Sequence, residues 1–152
     1  MRERLVVDSS VIVRALLEVK PELISRLVVM YECFVPVNVL EESAYKVLMA
    51  VVAEETGLRN FYDLKRAWEK CAGKERFRER ENLFMTLVKG NVVKTLVVNK
   101  EVYFLSSEIM DRYKLLPNDA LVAAVCKYYG IGKLATFDKD FKRVDFLEVI
   151  TP

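Results

Sequence analysis

Two short apolar runs in this chain end on a carboxylate. Leu5-Val6-Val7 leads into Asp8, and Leu134-Ala135-Thr136-Phe137 leads into Asp138. Each reads as a buried strand that delivers an acid at its C-terminal end. Asp119 lies in the first turn of a helix opened by Pro117 and Asn118, and Glu42 lies in the first turn of a helix that follows a strand at 33–36. Open parallel sheets bind ligands beyond the C-terminal ends of their strands. Asp8 and Asp138 fall on that edge, Glu42 lies on the same side, and Asp119 joins them if its helix precedes the Asp138 strand in a right-handed crossover. Carboxylates gathered without Lys or Arg partners repel one another, and a hard divalent cation such as Mg²⁺ or Mn²⁺, which takes oxygen ligands, relieves that repulsion.

Each acid also has a plainer reading. Asp8 would serve as a strand stop or helix cap, Asp119 as a partner of the helix dipole, Glu42 and its neighbour Glu41 as solvated helix charges, and Asp138 as a turn former. The composition narrows the chemistry from another direction. The chain has no histidine, which removes Ser-His-Asp and Cys-His hydrolases, HExxH zinc sites and imidazole acid/base catalysis. Carboxylates, lysines or a bound metal are what remain. A net charge of +2 over 152 residues is too small to predict nucleic-acid binding by bulk charge. The three cysteines, Cys33, Cys71 and Cys126, are widely spaced and form no CxxC pair, so they read as reduced, buried thiols.

The elements that must position these acids alternate between strand and helix. A strand at 4–7 is followed by a helix to about Glu18 that Ser9 and Ser10 can cap, then by a second helix beginning near Pro21. After the 33–36 strand, Asn38 is a plausible cap for a helix to about Glu55, ended by Gly57. A strand at 92–98, a helix at 100–113, the Pro117 helix to Gly130, a strand at 133–137 and a last strand at 146–150 follow. The pattern predicts an α/β fold, a three-layer α/β/α arrangement around a central parallel sheet, in one domain over 1–152. Residues 56–90 read as a polar helical arm. Its Arg76, Arg78 and Arg80, with Phe61, Tyr62, Trp68 and Phe77, could grip phosphates and stack bases, against the simpler reading of a solvated helical face. No apolar run suggests a membrane span, and no signal peptide is apparent, so a cytoplasmic protein is expected.

Four segments together resemble the PIN-domain family: Leu-Val-Val-Asp-Ser-Ser-Val at 5–11, Val-Pro-Val-Asn-Val-Leu-Glu-Glu-Ser-Ala-Tyr at 35–45, Leu-Pro-Asn-Asp-Ala-Leu-Val-Ala-Ala at 116–124 and Gly-Lys-Leu-Ala-Thr-Phe-Asp-Lys-Asp-Phe at 132–141. They occur in the family's order and span nearly the whole chain. The resemblance makes Asp8 the first acid with Ser9 as its following hydroxyl, selects Glu42 over Glu41, matches Asp119 to the third acid, and aligns Thr136, Asp138 and Phe141 with the closing Thr-x-Asp-x-x-Phe motif. Asp140 enters as an additional candidate ligand.

The resemblance implies a ribonuclease that hydrolyses phosphodiester bonds with Mg²⁺ or Mn²⁺, often the toxin of a VapC-type toxin–antitoxin pair and commonly a homodimer. Asp8, Asp119 and Asp138 would hold the metal. Glu42 would complete the shell or orient the attacking water, and Ser9 or Thr136 would steady a ligand carboxylate or a phosphate oxygen. Two other readings stand beside it. One is an inactive PIN-like module for RNA tethering or assembly. The other is a phosphatase-like hydrolase with Asp8 as nucleophile, whose pattern asks for Asp-x-Asp where this chain has Ser10.

Overall fold

Five short strands form one all-parallel sheet in a computed structural model that describes residues 1–152. In chain order the elements are β1 (Arg4–Val7), α1 (Ser9–Leu17), α2 (Glu22–Met30), β2 (Glu32–Pro36), α3 (Val37–Thr56), α4 (Phe61–Glu69), α5 (Lys74–Lys89), β3 (Val93–Leu96), α6 (Lys100–Tyr113), α7 (Pro117–Tyr129), β4 (Lys133–Ala135), a 3₁₀ turn (Lys139–Arg143) and β5 (Glu148–Ile150). The strand order is β3-β2-β1-β4-β5. The chain leaves β1 toward one edge and returns to its other side at β4, so the order reverses at β1. In sheets of this kind the ligand crevice opens at that reversal. Asp8 follows β1 and Asp138 lies just beyond β4, on the two sides of it.

Helices cover both faces of the sheet, which gives the expected α/β/α layering. α1 packs on α2, α3 and α5, while α6 and α7 pair with each other. The strands are apolar on both faces as this requires: Leu5, Val6, Val7, Val35, Val93, Leu134 and Ala135 are all buried. No helix is long and apolar enough to cross a membrane.

Several local expectations need correction. Of the two cap readings, it is Asp8 that caps α1, its side chain accepting from the Ser10 backbone N–H, and not Ser9 or Ser10. α3 starts directly after Pro36 with no side-chain cap, and Asn38 lies inside it, facing α7 instead. The last strands are shorter than the apolar runs: β4 ends at Ala135, with only the Thr136 N–H still donating to Ile150, and β5 begins at Glu148 because Asp145 and Phe146 form a turn. Cys33 and Cys126 are buried, and burial pushes both thiols up, Cys33 to about 11. Cys71 is instead exposed.

Residues 56–90 do not stand off as an arm. They form two helices joined through Cys71 and Gly73, both with φ of 70°. A Cβ at Gly73 would come 3.1 Å from Val52 Cγ2 of α3, so this left-handed, close-packed corner favours glycine. Beyond it, α5 turns Phe77 and Phe84 into the core against α1 and α3. The mixed charges hide this, since the apolar positions are few but well placed.

Candidate metal centre

The site begins at the end of β1. The Asp8 backbone N–H donates to the Ala135 carbonyl at 3.0 Å, the last link between β1 and β4. Beyond it the Asp8 side chain, 3% exposed, is held by two hydroxyls: Thr136 Oγ1 donates to Oδ2 at 2.7 Å, and Ser10 Oγ donates to the same oxygen at 2.8 Å. Burial raises the Asp8 carboxyl above its ordinary value, and the hydroxyl and backbone donors only partly offset this. Of the two hydroxyls expected to steady a ligand carboxylate, Ser9 and Thr136, it is Thr136 that reaches Asp8. The second hydroxyl on Asp8 is Ser10's, because Ser10 lies on the α1 face turned toward β4. Its oxygen also accepts the Phe137 N–H at 3.0 Å.

Thr136 carries the arrangement on to Asp138. Its hydroxyl oxygen accepts the Asp138 N–H at 3.0 Å while its proton goes to Asp8. Asp138 then caps the 3₁₀ turn, with Oδ1 accepting the Asp140 N–H at 2.9 Å. Phe141, fully buried, anchors that turn, and burying such a ring contributes roughly 1.5–3 kcal/mol. Asp119, in the first turn of α7, completes the group. Asp119, Asp138 and Asp140 each present a carboxylate oxygen, and all three oxygens lie within 4.8 Å of one another.

Asp119 is pushed up to about 6, first by burial and then by the negative charges of Asp138, Asp8, Glu42 and Asp140. A carboxylate placed only to suit the helix dipole would be stabilised in its charged form. Asp119 is instead half-buried among like charges, which disfavours its charged form. The five acids therefore act on one electrostatic centre, although they reach it from four separate segments.

Glu42 occupies a different part of the cleft from the three clustered oxygens. Asn118 Nδ2 donates to Glu42 Oε2, and Lys46, one turn along α3, reaches Oε1 at 2.6 Å. Asn118 Oδ1 in turn accepts from Asn38 Nδ2 at 3.1 Å, so Asn118 clamps α3 to α7. The expectation of acids without basic partners is corrected by Lys46 and by Arg143, which lies 3.2 Å from Asp140. Burial disfavours the Lys46 ammonium, yet the Glu42 carboxylate, helped by Asp8 and Asp119, holds its pKa above the ordinary value. Asp8, Asp119 and Asp138 have no salt-bridge partner.

Ser10, Asn118 and Lys46 were not among the sequence candidates. Asn118 had a signal in its place directly before Asp119, and Lys46 in its spacing of four from Glu42. Arg76, Arg78 and Arg80 lie elsewhere, on α5. Arg76 faces Glu54 at 3.6 Å, Arg78 pairs with Glu81 at 2.9 Å, and Arg80 donates to the Leu16 carbonyl at 3.0 Å. Those contacts stitch α5 to itself and to its neighbours.

A model of the PIN domain matches residues 5–147. The chain is 43% identical over 119 residues to ribonuclease VapC6 of Methanocaldococcus jannaschii, covering 78% of this chain and 74% of that protein. It is 52% identical over 60 residues to ribonuclease VapC2 of the same organism, 40% of each chain. Among solved structures it is similar to VapBC2 from Rickettsia felis bound to a DNA fragment from its promoter, with a TM-score of 0.64 at 15% identity over 97% of both chains. It is also similar to VapC20 of Mycobacterium tuberculosis, a sarcin-ricin loop cleaving toxin, with a TM-score of 0.60 at 19% identity over 97% of this chain and 99% of that one. At such identities the likeness speaks to the fold.

Proposed function

Because the chain belongs to the PIN-domain family, we propose that the acidic centre at the end of β1 and β4 is the active site of a ribonuclease that works with Mg²⁺ or Mn²⁺. The observation that carries this reading is Asp119, held near 6 among four other carboxylates, three oxygens of the group lying within 4.8 Å. The donor set is all hard oxygen and contains no histidine or thiolate, which suits Mg²⁺ or Mn²⁺ better than zinc or copper.

Asp119, Asp138 and Asp140 present the oxygens that lie closest together, and with Asp8, held by Thr136 and Ser10 at the end of β1, they would hold the cation. Bound there, it would supply Lewis acidity that acidifies water and offsets the charge of a phosphate in the transition state. The chain's own residues do the positioning. Thr136 and Ser10 fix the Asp8 carboxylate from one side, leaving it little freedom to turn. The Asp140 N–H fixes Asp138 in the same way. Asn118 and Lys46 hold Glu42 on the α3 side of the cleft, apart from the three clustered oxygens, where it would orient an attacking water. Asp119 must lose its proton to act as a ligand, so metal binding should weaken as pH falls below about 6.

The wider reading is that of a toxin paired with an antitoxin, acting on RNA in the cytoplasm. An apolar cleft of about 240 Å³ between α1, α3 and α5, lined by Leu16, Leu40, Phe77 and Phe84 with Glu41 and Glu81 beside them, would suit an apolar and basic antitoxin segment. The exposed Tyr103, Phe104 and Leu116 offer a surface for a second copy of the chain. The deciding experiment incubates purified protein with mixed RNA in Mg²⁺, Mn²⁺ or EDTA. Cleavage in either metal and none in EDTA is expected. Cleavage that persists in EDTA overturns the metal mechanism, and RNA binding without cleavage in any metal favours the inactive module.

A further inference from the structure

The acid-rich edge also carries an arginine that the fold orients without engaging its hydrogen-bonding groups. Arg14 lies one turn beyond Ser10 on α1, and its Cζ sits 3.8 Å from the centre of the Phe137 ring, close enough to be stacked on its face. Phe137 is itself fixed beside the site. Its N–H donates to Ser10 Oγ, and its chain neighbours are Thr136 and Asp138. The nearest carboxylate to Arg14 is Glu18 at 3.8 Å, beyond hydrogen-bonding distance, and Glu18 is bound more closely by Lys20 at 2.8 Å. The guanidinium N–H groups therefore make no hydrogen bond within the chain, their one ionic contact being the 3.8 Å approach of Nε to Glu18.

That contrasts with Arg4, Arg80 and Arg143, whose guanidinium groups donate to backbone carbonyls. It also answers an electrostatic need. A centre of five acids repels the polyanion it would have to cleave, and Lys46 is already taken by Glu42. A planar fork of donors matches a phosphate, and stacking on an aromatic holds that fork in place before the substrate arrives. We infer that Arg14, oriented by Phe137, binds a backbone phosphate of the RNA beside the one being cut. This rests on the ribonuclease reading above.

The test measures the affinity of a fluorescein-labelled, mixed-sequence single-stranded RNA across a KCl series in EDTA, with steady-state cleavage in Mn²⁺ alongside. Arg14→Gln should weaken binding about tenfold and lower the slope of log affinity against log salt by about 0.7, the loss of one phosphate contact on a single strand. Its cleavage defect should fall mainly on KM. Arg14→Lys should keep the slope and bind with intermediate affinity, because charge remains and the fork is lost. Phe137→Leu should also keep the slope while binding several-fold more weakly. Arg26→Gln, which removes an exposed charge from α2, should stay within about twofold of wild type. Wild-type affinity and slope in a folded Arg14→Gln protein overturn the inference and leave the ribonuclease reading intact. Should Arg14→Gln fail to fold, wild-type binding by both Arg14→Lys and Phe137→Leu overturns it instead. A wild-type protein that neither binds nor cleaves RNA at low salt brings down both.

Discussion

The two ends of the central sheet treat charge in opposite ways. At the N-terminal end, acids and bases on neighbouring strands face one another: Lys133 lies 2.6 Å from Glu148 and 3.6 Å from Glu3, and Lys94 pairs with Glu32. The Lys94 hydrogen bond holds the Glu32 carboxyl below its usual value, and Glu148 holds Lys133 above its own. At the C-terminal end, burial and like charge push Asp8 and Asp119 up. The first pattern is ordinary cross-strand pairing in water, which contributes little to stability. The second is repulsion kept in place by the surrounding core, which makes sense when a cation completes it.

The largest expected difference between the two ends is in activity. Asp8→Asn and Asp119→Asn should each lower Mn²⁺-dependent RNA cleavage by about 100-fold or more, whereas Glu148→Gln should leave the rate within about twofold. Equal losses from both ends would erase the contrast. A step smaller, Thr136→Val removes one of the two hydroxyls that hold the buried Asp8. We expect a loss of about 1–3 kcal/mol in stability from the under-satisfied carboxylate, and a 10- to 100-fold fall in cleavage. Denaturant melts with Thr136→Ser as the rescue variant check this, and a Val protein as stable as wild type would show that Asp8 does not depend on that donor.

Stability without metal should run in the unusual direction. The folded pKa of Asp119, about 6, exceeds its unfolded value of 3.8, so its favourable contribution is fully present below pH 3.8 and is lost as pH rises through 6. Above that window the ionised group opposes folding. Asp119→Asn in EDTA at neutral pH should therefore be more stable, by about 1 kcal/mol once the screening of a half-buried group is allowed for, or about 2–4 °C in melting temperature. Mg²⁺ should then raise the melting temperature of the wild type more than that of the mutant. A mutant that melts lower in EDTA would mark Asp119 as a structural acceptor. The smallest effect belongs to the paired end, where Glu148→Gln should move the melting temperature by under about 2 °C, and less in high salt.

Much of this contrast was legible in the residues. The runs ending at Asp8 and Asp138, the Pro117 start of α7 and the helix stops at Gly57 and Gly130 depend on local periodicity and backbone preference, which neighbouring residues express without help from distant ones. The lack of histidine narrowed the chemistry before any fold was known. The pairing of Lys133 with Glu148 was not legible, because strand register joins residues that no local pattern connects. For the same reason the packing of 56–90 was not legible: it folds as two helices, and the Cys71–Gly73 corner turns α5 so that Phe77 and Phe84 enter the core beside α1 and α3.

Composition and local residue order set which side chains are available, the alternation of strand and helix, and the placement of acids at strand and helix ends. Tertiary structure alone decided who holds whom. Ser10 rather than Ser9 reaches Asp8, Asn118 ties Glu42 to α7, Lys46 stands among the acids, and Arg14 rests on Phe137 with its donors free. Hydrogen bonds and charge interactions act over a few ångströms of space between segments that can lie more than a hundred residues apart. Their partners are therefore set by how β1, α3, α7 and β4 pack, and not by any spacing along the chain.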